Sequence, residues 1–292
     1  MDALRKLGRK TINVTDISSQ YWCEKQMELK YLYGKETTKE EKVGKAIHAN
    51  LENETNIKIN LIPAGWTDFV YKTIYTNYVG IERLVKTGMR TREITVFGRF
   101  GAFSMRGKID QLHMKDGKII IFDDKTRRSE NIPSKEQILG HRMQLILYNK
   151  LLNDLRNGAY TFDMFKNDYW IKSNSQLSNG FLEQIKELDT GHNYNSVLKL
   201  CEEFFEFVRG IPLISDLMYI KYTSQLTNKL IKMYKLNYTQ DAFESLAQYS
   251  LEYWAGKRDA MPVPQTESWK CNMCNFFGNK CTTWYEQKNL VV

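Results

Sequence analysis

Three cysteines crowd together near one end of the chain, in the run Trp269-Lys270-Cys271-Asn272-Met273-Cys274-Asn275-Phe276-Phe277-Gly278-Asn279-Lys280-Cys281. This spacing is that of a soft-metal site, with three thiolates in one short loop. A closed tetrahedral site or a cubane cluster takes a fourth thiolate. Only Cys23 and Cys201 remain to supply it. If Cys23 does, the metal closes a loop spanning nearly the whole chain. Treated with the chain-entropy relation for disulfides, such a closure removes roughly 5–6 kcal/mol of unfolded-state freedom. The two chain ends would then form one metal-stapled lobe. Cys201 sits in the spacing Leu198-Cys201-Phe205-Val208, where a cysteine is more often a small buried apolar residue than a ligand.

The remaining composition narrows the setting. The chain has 292 residues, 42% hydrophobic and 26% charged, which allows one large core or two modest ones. Five cysteines cannot all pair, so a secreted disulfide framework is disfavoured and a reducing interior compartment is expected. Nucleus, mitochondrion and cytoplasm are not distinguished. The opening residues lack the apolar core of a signal peptide, and no stretch has the length and apolarity of a bilayer span. A net charge of +8 with 13% aromatic residues suits a groove that tracks a nucleic-acid backbone and stacks its bases.

Patterning predicts a single α/β domain over residues 1–292. Thr15 is placed to cap a helix that runs through Cys23 and stops at Gly34. Thr38 with Glu41 forms a capping-box pattern before a helix with Val43, Ile47 and Leu51 as its buried stripe. Residues 66–86 read as a third helix. Alternation then predicts strands over 93–103, 106–114 and 118–125, with a turn at Asp116-Gly117. A helix over 135–155 follows Pro133 and ends at Asn157-Gly158. Strand-like pieces are predicted near 160–172, 217–223 and 229–237, and helices over 195–209 and 240–256.

The chemistry concentrates in Gly107-Lys108-Ile109-Asp110 and Ile119-Ile120-Ile121-Phe122-Asp123-Asp124-Lys125. Alternate side chains of a strand share a face, so Asp123 and Lys125 point together and Asp124 points away. Asp110, on the partner strand, can meet Asp123. Two carboxylates beside a lysine suit Mg²⁺, which takes oxygen ligands and keeps positions open for a phosphate. Such an ion would polarise a phosphodiester and acidify the attacking water, with Lys125 orienting that water or offsetting charge. Asp-x-Lys triplets are common, however, and a solvated acidic strand end is the plainer reading of this one. His48, one turn from Gly44, could complete the metal shell, although a lone helical histidine is more often structural. Gln144 and Tyr148, one turn apart, could touch DNA or the lysine, or could simply belong to an amphipathic helix.

In order, Cys23, His48, Asp110, Asp123-x-Lys125, Gln144-x3-Tyr148 and Cys271-x2-Cys274-x6-Cys281 resemble the RecB-type PD-(D/E)XK nucleases that carry an iron–sulfur cluster. Within that group, Val14-Thr15-Asp16-Ile17, Trp22-Cys23-Glu24-Lys25-Gln26, Lys125-Thr126-Arg127-Arg128 and Tyr253-Trp254-Ala255-Gly256-Lys257-Arg258 most resemble exonuclease V. The resemblance covers about residues 12–285. It implies a nuclease core at about 90–175, with a mixed central sheet flanked by helices. A cluster lobe from about 12–35 and 260–285 would join the chain ends. Cys23, Cys271, Cys274 and Cys281 would hold a four-iron–four-sulfur cluster. His48, Asp110, Asp123 and the Asp124 carbonyl would ligate Mg²⁺ or Mn²⁺, and Lys125 would be the catalytic lysine. Asp123 departs from the commoner glutamate of the family.

The implied activity is metal-dependent exonucleolytic hydrolysis of single-stranded DNA from strand ends, in DNA repair or genome maintenance. The expected state is a monomer without membrane attachment, with a single-strand-binding protein as a further candidate partner. The rivals are a CRISPR-adaptation nuclease and a non-catalytic nucleic-acid-binding protein with structural zinc. Trp66, Tyr71, Tyr75 and Tyr78, with Lys72, Arg83, Lys86 and Arg90, are expected to line a passage admitting one strand.

Overall fold

A computed structural model gives the fold for residues 2–34, 37–56, 59–188 and 191–283. Residues 284 and 285 of the expected cluster lobe lie outside this set. The chain opens with α1 (Ala3–Lys6), β1 (Ile12–Asn13), α2 (Val14–Tyr33), α3 (Lys39–Thr55) and α4 (Trp66–Thr87). The strands β2 (Thr91–Phe100), β3 (Phe103–Lys115) and β4 (Lys118–Arg127) follow, then α5 (Lys135–Asn157), α6 (Phe162–Asp168), α7 (Asn179–Lys186) and α8 (Val197–Arg209). Last come β5 (Ile214–Ser224), β6 (Leu230–Asn237), α9 (Gln240–Trp254) and a 3₁₀ segment, Gln265–Met273.

The six strands form one mixed sheet. β2, β3 and β4 make an antiparallel meander, β1 adds to β3 in parallel, and β4 pairs in parallel with β5. A parallel pair needs a long crossover, and α5 to α8 provide it. The turn between β3 and β4 has positive φ at both Asp116 (51°) and Gly117 (70°). That is the two-residue geometry whose twist matches the flanking strands.

α5 begins on a reciprocal capping box between Ser134 and Gln137 and ends at left-handed Gly158. It lies on β2, β3, β4 and β5, burying Leu145, Leu147, Leu151 and Leu152. α2 packs along it.

Three sequence expectations need correction. The first helix is capped by Asn13, in a capping box with Asp16, instead of by Thr15. Residues 162–168 form a helix where alternation suggested a strand. Thr161 caps it, and the spacing of Tyr160, Phe165 and Tyr169 puts all three rings in the core. Helical burial and strand alternation look alike over so short a segment, and the cap decides between them. Finally, the expected α3 stripe is not buried: Val43 is 39% exposed and Ile47 and Leu51 are half-buried, because α3 lies against β2 and β4 outside the core.

The two ends of the chain meet in a buried polar clasp. Glu24 is 1% exposed and pairs with the Arg258 guanidinium. It also accepts from the Met261 N–H at 2.8 Å, while the Lys25 N–H donates to the Met261 carbonyl at 3.0 Å. Trp254 Nε1 donates to Gln20 at 2.9 Å, and Gln20 donates to Glu24 at 2.6 Å. Removing one partner from a buried pair leaves the other charge uncompensated. Arg258→Met is therefore expected to cost about 3 kcal/mol of stability, a value to be read from urea unfolding.

Candidate active site and cysteine pocket

The antiparallel register brings the candidate carboxylates together. Arg92 pairs with Gln111 and Ile94 with Ile109, so Glu93 faces Asp110 across the β2–β3 ladder. On the other side of β3, Gln111 pairs with Phe122, which sets Asp110 opposite Asp123. α3 crosses above this point. A Cβ at Gly44 would lie 3.0 Å from Thr126 Oγ1, so the bare glycine lets α3 settle onto the end of β4. One turn later, His48 Nδ1 stands 3.8 Å from Glu93 Oε1.

Among the described residues, His48, Glu93 and Asp110 are the group whose ligand atoms lie within 4.8 Å of one another. Asp123 stands beside them. Its Oδ1 accepts from Lys125 Nζ at 2.7 Å, while its buried Oδ2 has no partner. Asp110 Oδ2 accepts from the Asp124 N–H at 2.7 Å, and Lys108 pairs with Glu93 at 2.7 Å. The strand geometry thus places Asp123 and Lys125 on one side. The Asp124 side chain turns the other way, to Arg92.

The electrostatics follow from this crowding. Burial and the neighbouring Asp123 charge raise the Asp110 pKa to about 7, against the pull of Lys125 and His48. The Glu93 carboxylate raises the His48 pKa, with Asp110 adding to it against burial. Burial disfavours the Lys125 cation, yet Asp123 and Asp110 outweigh it and hold its pKa above the usual lysine value. Lys125 is therefore a fixed cation. Clustered carboxylates with an orphaned buried oxygen and an imidazole fit a divalent cation, whose charge would relieve their repulsion.

Glu93 was not singled out by the sequence reading. Two signals mark it: its place opposite Asp110 once the hairpin is registered, and its φ of 58°. A non-glycine residue in the left-handed region is uncommon and gathers at functional sites.

Gln144 and Tyr148 lie inside the protein and face each other. They are 5% and 2% exposed, and Gln144 Nε2 donates to Tyr148 Oη at 2.8 Å. The ring lies under β3, where a Cβ at Gly107 would come within 2.5 Å of it. Burial, with the nearby Asp110 and Asp123 charges, keeps the phenol protonated.

The passage expected beside the site also changes. Tyr71, Tyr75 and Tyr78 are buried in the core, since a helix that covers a sheet must turn its aromatic stripe inward. Lys72, Arg83 and Lys86 are engaged with the Leu61 carbonyl, the Thr55 carbonyl and Glu82. Of those aromatics, Trp66 remains 43% exposed.

At the chain-end clasp, α2 is interrupted at Cys23, whose φ of −167° and ψ of 110° are extended. Cys23, Cys271, Cys274 and Cys281 line one pocket with Trp22, Val263 and Phe277, and all four thiols are free. Burial raises the Cys23 and Cys271 pKa values, and the neighbouring cysteines raise them further. Thiolates that repel one another here are suited to bound metal. Lys270, 2% exposed, bridges to the Trp22 carbonyl at 3.2 Å and closes one side. Cys201 is buried in α8, away from this pocket.

The model of the family described as "Exonuclease V - a 5′ deoxyribonuclease" matches residues 1–118, 113–203 and 192–285. The zebrafish (Danio rerio) protein named exonuclease V is 28% identical over 288 residues, covering 93% of this chain and 70% of that protein. The crystal structure of SSO0001 aligns over 94% of this chain and 91% of its own, at 14% identity and a TM-score of 0.42. Among the described residues, no helix is long and apolar enough to cross a membrane.

The raised Asp110 pKa has a measurable consequence. A carboxyl whose folded pKa exceeds its unfolded value of about 3.9 stabilises the fold fully below that value. This contribution is lost as pH rises through about 7. In chelator, Asp110→Asn should therefore match wild type near pH 4 and exceed it by roughly 2–4 kcal/mol at pH 8. Urea unfolding at the two pH values reads the difference, and equal stabilities at pH 8 would contradict it. Added Mg²⁺ should stabilise wild type more than the variant.

Proposed function

The chain belongs to the exonuclease V family, and from that premise we propose that it is a metal-dependent exonuclease hydrolysing single-stranded DNA from its ends. The observation that carries the reading is the meeting of His48, Glu93 and Asp110, with Asp123 and Lys125 alongside. An imidazole with several carboxylates is a donor set for Mg²⁺ or Mn²⁺. When bound, such an ion polarises the scissile phosphate and acidifies the attacking water. Lys125, held cationic by Asp123, is placed to orient the water or offset the charge that develops on phosphate oxygens. His48 would ligate through a neutral ring nitrogen, so the raised pKa that Glu93 gives it works against ligation as pH falls. The Asp124 carbonyl is a further candidate ligand. Gln144 and Tyr148 act from beneath, by fixing the floor under Asp110, and not by contact with substrate.

In the cysteine pocket we place a four-iron–four-sulfur cluster on Cys23, Cys271, Cys274 and Cys281. Four free thiols lining one pocket are the donor set that supports the reading. Its role is structural, since its ligands join segments already clasped by Glu24 and Arg258. A role in DNA repair or genome maintenance follows from the same reading.

Anaerobically purified protein with Mg²⁺ should digest end-labelled linear single strands and leave circular ones intact. Glu93→Gln, Asp110→Ala, Asp123→Ala and Lys125→Ala should each lower the rate at least a hundredfold while keeping the brown colour. Cys23→Ser should remove the colour, and Cys201→Ala should keep it. Wild-type cutting by Asp123→Ala, efficient cutting of circles, or a colourless protein with one zinc would each overturn the corresponding part.

A further inference from the structure

Each candidate ligand on a strand has a chain neighbour that points the other way, and those neighbours meet. Arg92 precedes Glu93, Gln111 follows Asp110, and Asp124 follows Asp123. Arg92 is 1% exposed, Gln111 5% and Asp124 6%. Arg92 Nη2 donates to Asp124 Oδ2 at 2.8 Å, and the Gln111 amide donates to the same oxygen. Gln111 Oε1 in turn accepts from His113 Nε2 at 2.8 Å. The fourth element joins through the backbone. Asn56, the C-cap of α3, donates to the Arg92 carbonyl at 2.9 Å and accepts from the Arg92 N–H at 3.0 Å.

We infer that Arg92, Gln111 and Asp124 are positioning residues that set the spacing of the metal ligands. The inference rests on the metal site proposed above. Four elements carry that site: α3 with His48, β2 with Glu93, β3 with Asp110, and β4 with Asp123 and Lys125. The buried polar group ties the three strands together within one residue of each strand ligand, and the Asn56 side chain ties the end of α3 to the Arg92 backbone. The tie has something to resist. The carboxylates repel one another, Glu93 is held at a left-handed φ, and α3 has no fully buried side chain among those described. Hydrophobic packing alone would not hold α3 at a fixed height over β2.

A buried ion pair is a poor source of net stability, since apolar residues of similar volume often serve as well. Here its directed hydrogen bonds fix geometry that apolar packing would leave loose. Outer partners of metal ligands commonly contribute ten- to hundredfold in metal affinity.

The test separates position from stability. The triple variant Arg92→Met/Gln111→Met/Asp124→Leu removes the polar group without leaving a buried donor among the three. Mn²⁺ binding to metal-free protein, followed by EPR in the absence of DNA, should weaken at least tenfold in this variant. Its unfolding midpoint should stay close to wild type. Arg92→Lys, which keeps the charge but loses the planar fork, should weaken Mn²⁺ severalfold and serves if the triple variant does not fold. Asp124→Asn, which keeps an acceptor for both donors, should bind within about threefold of wild type. Asp110→Ala gives the baseline without the site. If wild type binds Mn²⁺ above that baseline and the folded triple variant or Arg92→Lys binds equally well, the positioning inference falls and the metal site stands. If wild type binds no better than Asp110→Ala, both fall.

Discussion

Like charges held close together in a partly desolvated place are the constraint around which this molecule is arranged. Glu93, Asp110 and Asp123 come from three successive strands, and burial with mutual repulsion raises the Asp110 pKa to about 7. In water these groups would move apart or stay hydrated. Here the ladder register forbids separation, and α3 and α5 limit hydration. The surroundings answer with partial compensation: Lys108 on Glu93, Lys125 on Asp123, and the Asp124 N–H on Asp110. One buried oxygen of Asp123 remains without a partner. A site fully satisfied by its own protein would have no reason to take a cation. This one is left short of positive charge, a deficit that a divalent ion would fill on the reading proposed above.

Much of this was legible in the sequence, because the strands around the site obey local rules. The Asp116-Gly117 turn fixes the β3–β4 register, which sets Asp110 opposite Asp123. The period of two then sends Asp123 and Lys125 one way and Asp124 the other. What could not be read was cross-strand and long-range. Glu93 lies seventeen residues before Asp110, and nothing in its own neighbourhood distinguishes it from any strand glutamate. Only the β2–β3 pairing makes it a ligand candidate. Gln144 and Tyr148 were visible as an i, i+4 pair, but the same spacing serves a surface and a core. Gly107 decides for the core, by letting the phenol lie directly under β3. The same ambiguity misled the reading of Tyr71, Tyr75 and Tyr78. An aromatic stripe on a helix beside a basic face could line a passage or seal a sheet, and packing on β2 and α8 settles it.

The cysteine pocket and the strand site are joined through α2. Its first residue, Val14, lies within 2.7 Å of where a Gly107 Cβ would stand, three residues from Asp110. Nine residues further along, the helix breaks at Cys23 and enters the clasp with Glu24, Arg258 and Met261. At 1.5 Å per residue, that is about 14 Å of helix between the two places. α2 also runs along α5, which carries Gln144 and Tyr148 beneath the carboxylates. A rigid element anchored at both ends transmits loss at one end as slack at the other. On the proposed reading, releasing a cluster held there would loosen the floor under Asp110, although the four cysteines line a pocket separate from the carboxylates. Activity lost by a cysteine variant would report this slack, whereas metal binding at His48, Glu93 and Asp110 would report whether the ligands kept their places. The two readouts would diverge only if a cluster bound there did something besides holding the ends together.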